Sequence, residues 1–289
     1  MAERLNPLND FLFMKYMGEK GDETQLLSFL NAVLKRTGQD KLQSVEILEN
    51  KTLMAEIIGD KTSILDIRAV TDGGTKINIE VQVCNLRDMA RRSLFYWSKE
   101  YSKGIKAGED YVNLPGVITI NIVNFEFIAG VDFHSIFHLR EDTHRECLLT
   151  DVLEIHFIDM VKYRRLPEKD IERDPLQRWL AFFDKATPEK TLKEIMSMDK
   201  AIQEAQRKIA YASNDDGTLH AYQMREIGLS DWNSRLGDAR REGRREGKLD
   251  AARRMKVLGM SLEQIRLATD LTLEEIETLK PFENDNEDR

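Results

Sequence analysis

The chain has 289 residues, with 43 basic against 51 acidic side chains and a formal charge of −8. That length excludes a small stapled scaffold, and that charge argues against whole-surface attraction to nucleic acid or anionic lipid. With 33% charged and 41% hydrophobic residues and six prolines, it has the composition of a soluble, helix-rich globular protein rather than a disordered or fibrous one.

Two cysteines, Cys84 and Cys147, lack CxxC spacing. This rules out a disulfide framework or a cysteine zinc site and points to a reducing compartment. There is no basic-then-apolar start and no run of about 18 apolar residues. The expectation is a cytoplasmic protein with no membrane partner. Charge divides evenly, 21 basic and 25 acidic residues over 1–165 against 22 and 26 over 166–289. Texture marks the boundary instead. Short β-branched runs separated by turn signals give way, beyond Pro167, to amphipathic helix. The expected organisation is an α/β core over 1–165, a helical extension over 166–233, and a basic helix with a short trihelical unit and acidic tail over 234–289.

In chain order, Asp22 with Gln25 three places on predicts a helix start, and Leu26, Leu27, Leu30, Val33 and Leu34 give that helix an apolar stripe. Strand patterns follow at about 44–58, 62–70 and 76–84, with turns at Gly59-Asp60 and Asp72-Gly73-Gly74. They predict an antiparallel meander. A helix over about 88–106 ends near Gly108, followed by strand patterns at 117–123 and 152–158. Helix, three strands, helix and strand make a mixed α/β domain.

The third strand alternates strictly: Asn78, Glu80 and Gln82 share one face and four aliphatics the other, so one face is expected to be wet or functional. If the hairpin loop is Asp72-Gly73-Gly74, Asp66 lies directly opposite Glu80. Facing carboxylates repel unless one takes a proton or a cation lies between them, and a divalent metal removes the cost. The bland reading is a half-exposed strand with solvated acids. The next helix weighs against it. Residues 87–106 hold six basic and two acidic side chains, and Arg92, Tyr96, Lys99, Lys103 and Lys106 recur at spacings of 4, 3, 4 and 3. Ala90, Leu94, Trp97 and Tyr101 are expected on its core side. A basic stripe beside paired carboxylates suits a polyanion passing a metal.

Leu65-Asp66-Ile67, Ile79-Glu80-Val81-Gln82, Arg91-Arg92-Ser93-Leu94-Phe95-Tyr96-Trp97-Ser98-Lys99 and Gly108-Glu109-Asp110-Tyr111 together resemble the Rpn-type recombination-promoting nucleases, or transposases, of the PD-(D/E)xK superfamily. Asn9-Asp10-Phe11-Leu12-Phe13-Met14-Lys15 and Phe133-His134-Ser135-Ile136-Phe137-His138-Leu139-Arg140 are similar to that family too, so nearly the whole chain is covered. The resemblance implies a restriction-endonuclease-like core, a mixed central sheet flanked by helices, and a magnesium-dependent DNA endonuclease. Manganese or calcium could take the same oxygen ligands. By the match, Asp66 and Glu80 are metal ligands with the Val81 carbonyl, and Gln82 stands where the superfamily has lysine. An amide positions water but brings no charge, so Arg92 is the candidate cation, with Tyr96, Lys99 and Lys103 along the DNA. Asp10 matches an acidic position of the pattern and either joins the centre or caps a helix.

His134 and His138, with His144 following, do not complete a zinc set. No phosphate-loop, dinucleotide or nucleophile-elbow motif is present. Toward the end, 234–256 carries nine basic and four acidic residues. Ser261-Leu262-Glu263-Gln264 and Thr272-Leu273-Glu274-Glu275 are two capping boxes that predict two short helices after a longer one. The last helix carries Glu274, Glu275 and Glu277, the wrong charge for a DNA groove. Packing or self-association into a homo-oligomer is the preferred expectation. From another class, a non-catalytic nucleic-acid-binding or assembly protein would keep the fold without needing facing carboxylates.

Overall fold

The computed structural model describes residues 4–48, 66–85, 88–106 and 108–280. Most of the expected first strand and its Gly59-Asp60 turn lie outside them. Helix α1 (Asp10–Met17) begins where the Asn9 side chain accepts from the Leu12 amide. Helix α2 (Thr24–Val33) has Glu23 at its N-cap position with no side-chain cap. Asp22, one place earlier, accepts from Thr24 at the start of the helix and also pairs with Lys208, whose Nζ lies 2.8 Å from its carboxylate.

Among the described residues, six strands form one sheet in the order β1-β2-β3-β4-β6-β5: β1 (Val45–Ile47), β2 (Asp66–Thr71), β3 (Lys76–Gln82), β4 (Val117–Val123), β5 (His134–Arg140) and β6 (Leu148–Asp159). Strands β1, β2 and β3 pair antiparallel. The turn between β2 and β3 is the expected three-residue loop. The Thr71 amide donates to Thr75 O, the Gly74 amide donates to Thr71 O, and Gly74 takes a φ of 80°, which costs a glycine little. Strand β3 then runs parallel to β4, and β4 to β6. A parallel step needs a crossover, and α3 (Met89–Ser102) supplies it. Strand β5, antiparallel to β6 at the edge, was not foreseen. Its histidines read only as candidate metal ligands, and its exposed edge blurs the period of two.

On one face of the sheet, Ile77, Ile79, Val81, Ile118, Ile120 and Ile122 meet the apolar sides of α1 and α2. The same core takes in helices beyond Pro167. After α4 (Met160–Arg164) come α5 (Pro175–Phe183), α6 (Glu189–Met198) and α7 (Lys200–Asn214). Helix α5 starts with Asp174 accepting from the Leu176 and Gln177 amides and with proline at its first position. It buries Trp179, Phe182 and Phe183. The rings of Trp179 and Phe183 meet Phe29 and Phe13 edge-on at centroid separations of 5.3 to 5.9 Å, and Phe182 meets Tyr16 in the same way, an arrangement that adds about 1 kcal/mol per pair beyond burial.

Helix α8 (Asp216–Val257) follows, then α9 (Leu262–Thr269) and α10 (Leu273–Thr278). Residues through Leu229 form one compact unit and those from Ser230 a second. In the second, Ala252, Ile265, Leu271 and Ile276 make a small core, and both capping boxes close. Lys256 Nζ donates to the carbonyl oxygens of Ile276, Glu277 and Leu279, closing the end of α10. Arg245 of α8 pairs with Glu275 of α10, and Lys248 of α8 with Asp270 at the end of α9, so acidic residues of the short helices answer the basic α8.

Candidate active site

Strand β3 is buried on both faces. Asn78, Glu80 and Gln82 are 4, 1 and 8% exposed, which corrects the expectation of a wet face. Helix α3 covers it. Ser93 Oγ donates to Asn121 Oδ1 at 3.1 Å, Trp97 Nε1 to Val117 O at 2.9 Å, and Asn121 Nδ2 to His156 O at 3.0 Å. The floor under the helix is therefore polar where it meets β3 and β4. That floor turns α3 from its expected orientation. Met89, Ser93 and Trp97 face inward, while Ala90 is exposed and Leu94 is 50% exposed.

The register places Asp66 directly opposite Glu80, and Glu80 beside Asn121 of β4. Above them Arg92 holds Nη2 3.3 Å from Glu80 Oε1, with its guanidinium 5.4 Å from the Tyr96 ring centroid. Arg92 Nε, Asn78 Oδ1 and Thr119 Oγ1 are buried with no hydrogen-bond partner among the described residues. Orphaned polar atoms beside a buried carboxylate mark a place where water, an anion or a cation satisfies them. Carboxylate and carbonyl oxygens are the donors a hard divalent cation takes, so the residues fit magnesium. Gln82 Nε2 donates to Cys84 O at 3.0 Å, fixing the amide with Oε1 as its acceptor end. Val81 lies between Glu80 and Gln82, its side chain in the core.

The remaining basic residues of α3 separate. Lys99 is exposed. Lys103 Nζ lies 2.8 Å from Glu100, which also meets Arg68 at 3.5 Å. Burial would raise the Glu100 pKa, but Lys103, Arg68 and Lys76 together hold it below the usual carboxylate value. Asp10 is the first residue of α1, capped by Asn9. Its buried carboxylate takes Arg225 Nε at 2.8 and 3.1 Å, and it also pairs with Nη2. No local pattern signals that pair, whose members stand 215 positions apart.

The opposite face of β6 carries a second polar cluster. His156 is fully buried, its Nε2 2.5 Å from Glu154 Oε1 and its Nδ1 2.9 Å from His134 Nε2, with the two rings stacked. Burial, with the neighbouring His156, lowers the His134 pKa to about 4. His138 lies 3.6 Å from Glu154, and His144 turns to Glu141. Among the described residues, no three His, Cys, Asp or Glu converge on a point that could hold a metal ion. A cleft of about 1020 Å³ lined by Lys15, Arg68, Arg207 and Lys208, among others, includes none of Glu80, Gln82 and Arg92. Among the described residues no helix is long and apolar enough to cross a membrane.

A family model described as PD-(D/E)XK nuclease family transposase matches residues 7–239. No curated protein and no solved structure matches the chain.

Proposed function

The chain belongs to the PD-(D/E)XK nuclease family transposases, and from that premise we propose that it is a magnesium-dependent DNA endonuclease acting in recombination or mobile-element biology. Its restriction-endonuclease-like α/β fold carries Glu80 on β3 and Asp66 in register on β2. The observation that carries the reading is the Glu80–Arg92 pair under α3, a buried carboxylate and a guanidinium with an orphaned Nε on one polar patch.

Asp66, Glu80 and the Val81 carbonyl would hold the ion. When bound, magnesium supplies a Lewis acid that lowers the pKa of a coordinated water. Gln82, held by Cys84 O, offers Oε1 to a water hydrogen and so orients that water. Arg92 donates from Nε to a phosphate oxygen and opposes the charge that develops during attack, the task the missing lysine would otherwise perform. Tyr96 fixes the guanidinium plane, and Lys99 holds a flanking phosphate. Lys103 contributes after release from Glu100. Asp10 is assigned to its ion pair with Arg225 and not to the centre.

Purified protein is incubated with supercoiled plasmid and with single-stranded RNA, with Mg²⁺, with Mn²⁺ and with EDTA. Metal-dependent nicking of plasmid that Asp66→Ala abolishes, with an unchanged circular-dichroism melt, is the expected result. Cleavage retained by that variant refutes the assignment. Absence of cleavage with any divalent ion and either substrate refutes catalysis and favours a nucleic-acid-binding role.

A further inference from the structure

Helix α3 presents a second row beside the one that reaches Glu80. Arg91, Phe95 and Lys99 follow one another at i, i+4 and i+8, and all three are exposed. A helix places such residues along one ridge. Phe95 is 60% exposed and its neighbour Leu94 50%, on a helix whose inward face is already filled by Met89, Ser93 and Trp97. The folded chain makes little use of this ring. It is nevertheless joined to the centre by contact: the Phe95 and Tyr96 ring centroids are 5.7 Å apart, Arg92 lies over Tyr96, and Arg92 meets Glu80.

An exposed aromatic between two cations is the arrangement that grips an unpaired strand, since bases stack on the ring while the cations hold the phosphates on either side. Paired bases in a duplex offer no open face to such a ring. We propose that Phe95 is a stacking platform for unpaired bases of the DNA strand entering the centre, so that the enzyme prefers single-stranded or locally melted DNA to intact duplex. The inference rests on the reading of Glu80 and Arg92 as part of a DNA-cleaving centre. Leu94 widens the platform, and Arg91 and Lys99 position the strand without reading its sequence.

The test is fluorescence anisotropy with a labelled mixed-sequence strand and with its duplex, in EDTA at fixed salt so that nothing is cut. Phe95→Ala is expected to weaken single-strand binding roughly tenfold while changing duplex binding by less than about twofold, and Phe95→Trp to restore it. Lys99→Ala is expected to weaken both and to flatten the salt dependence. Because Phe95 is exposed, these variants are expected to melt with the wild type. Equal loss on both substrates, or no loss on either, overturns the platform. A Phe95 effect in a wild type that cuts no DNA with Mg²⁺ refutes the catalytic centre and leaves the platform standing. A wild type that binds neither DNA in EDTA overturns the platform, while the nicking assay with Mg²⁺ decides the centre.

Discussion

Arg92 reaches from α3 to Glu80 on β3 and stops 3.3 Å from its carboxylate, twelve positions back along the chain. The two belong to consecutive elements, so the pair sits within one structural step of the crossover. Glu80 is 1% exposed, and a carboxylate that deep is costly without a cation. Arg92→Ala is expected to cost about 3 kcal/mol in urea unfolding, and Glu80→Gln in the same background to recover part of it. Additive losses in the double variant would show that the pair does not act as a unit.

Gln82 presents a cleaner separation of activity from stability. Its amide donates to Cys84 O at 3.0 Å. Gln82→Ala is expected to lower stability by about 1 kcal/mol. The same change is expected to lower the plasmid nicking rate about a hundredfold if the amide orients the attacking water. A rate within about threefold of wild type would remove Gln82 from the chemistry.

The Asp10–Arg225 pair predicts the opposite pattern. Both side chains are nearly buried, and Arg225→Ala leaves a carboxylate without its guanidinium, at an expected cost of about 3 kcal/mol. Asp10→Asn is expected to cost less, because the neutral amide tolerates burial better. Isothermal titration of Mg²⁺ should return the wild-type affinity for Asp10→Asn, and a lost affinity would place Asp10 in the centre after all.

His134 makes stability depend on pH. Its folded pKa is about 4, held down first by burial and then by His156, against an ordinary value of 6.5. The unfolded chain therefore takes up a proton that the folded chain refuses between those values. This stability is fully present above about pH 6.5 and is lost as pH falls toward 4, up to about 3 kcal/mol in all. Glu154, held low by its bond to His156, adds a loss of the same sign at lower pH. Urea midpoints at about pH 7, 5.5 and 4.5 should fall steeply in the wild type and less steeply in His134→Gln.

The C-terminal unit rests on short helices whose capping is visible. Ser261→Ala opens the box with Gln264 and is expected to cost that unit about 1 kcal/mol. Nicking activity should be unchanged, because Ser261 lies outside the unit that contains Glu80.

These cases also show what local sequence can carry. The opposition of Asp66 and Glu80 was legible because a three-residue loop sets the register and a period of two sets the face. The two capping boxes were legible for the same reason, since their partners lie three residues apart. Burial of the Asn78, Glu80 and Gln82 face was not, because it depends on α3 folding back over β3. The orientation of α3 was missed along with it: Ala90 and Leu94 look like core residues until the polar floor of Asn121 and its neighbours draws Ser93 inward. The Asp10–Arg225 pair and strand β5 are set by distant pairings that leave no periodic trace.

The crossover that carries Arg92 has a mechanical consequence. Helix α3 is the covalent link between β3 and β4, the strands at which the antiparallel half of the sheet meets the parallel half. A polyanion gripped along α3, as proposed, is then held at the joint of the sheet itself, and its binding is expected to tighten the β3–β4 ladder. Amide hydrogen exchange across Val117–Val123 should slow when DNA is bound, reporting occupancy from inside the molecule rather than at its surface.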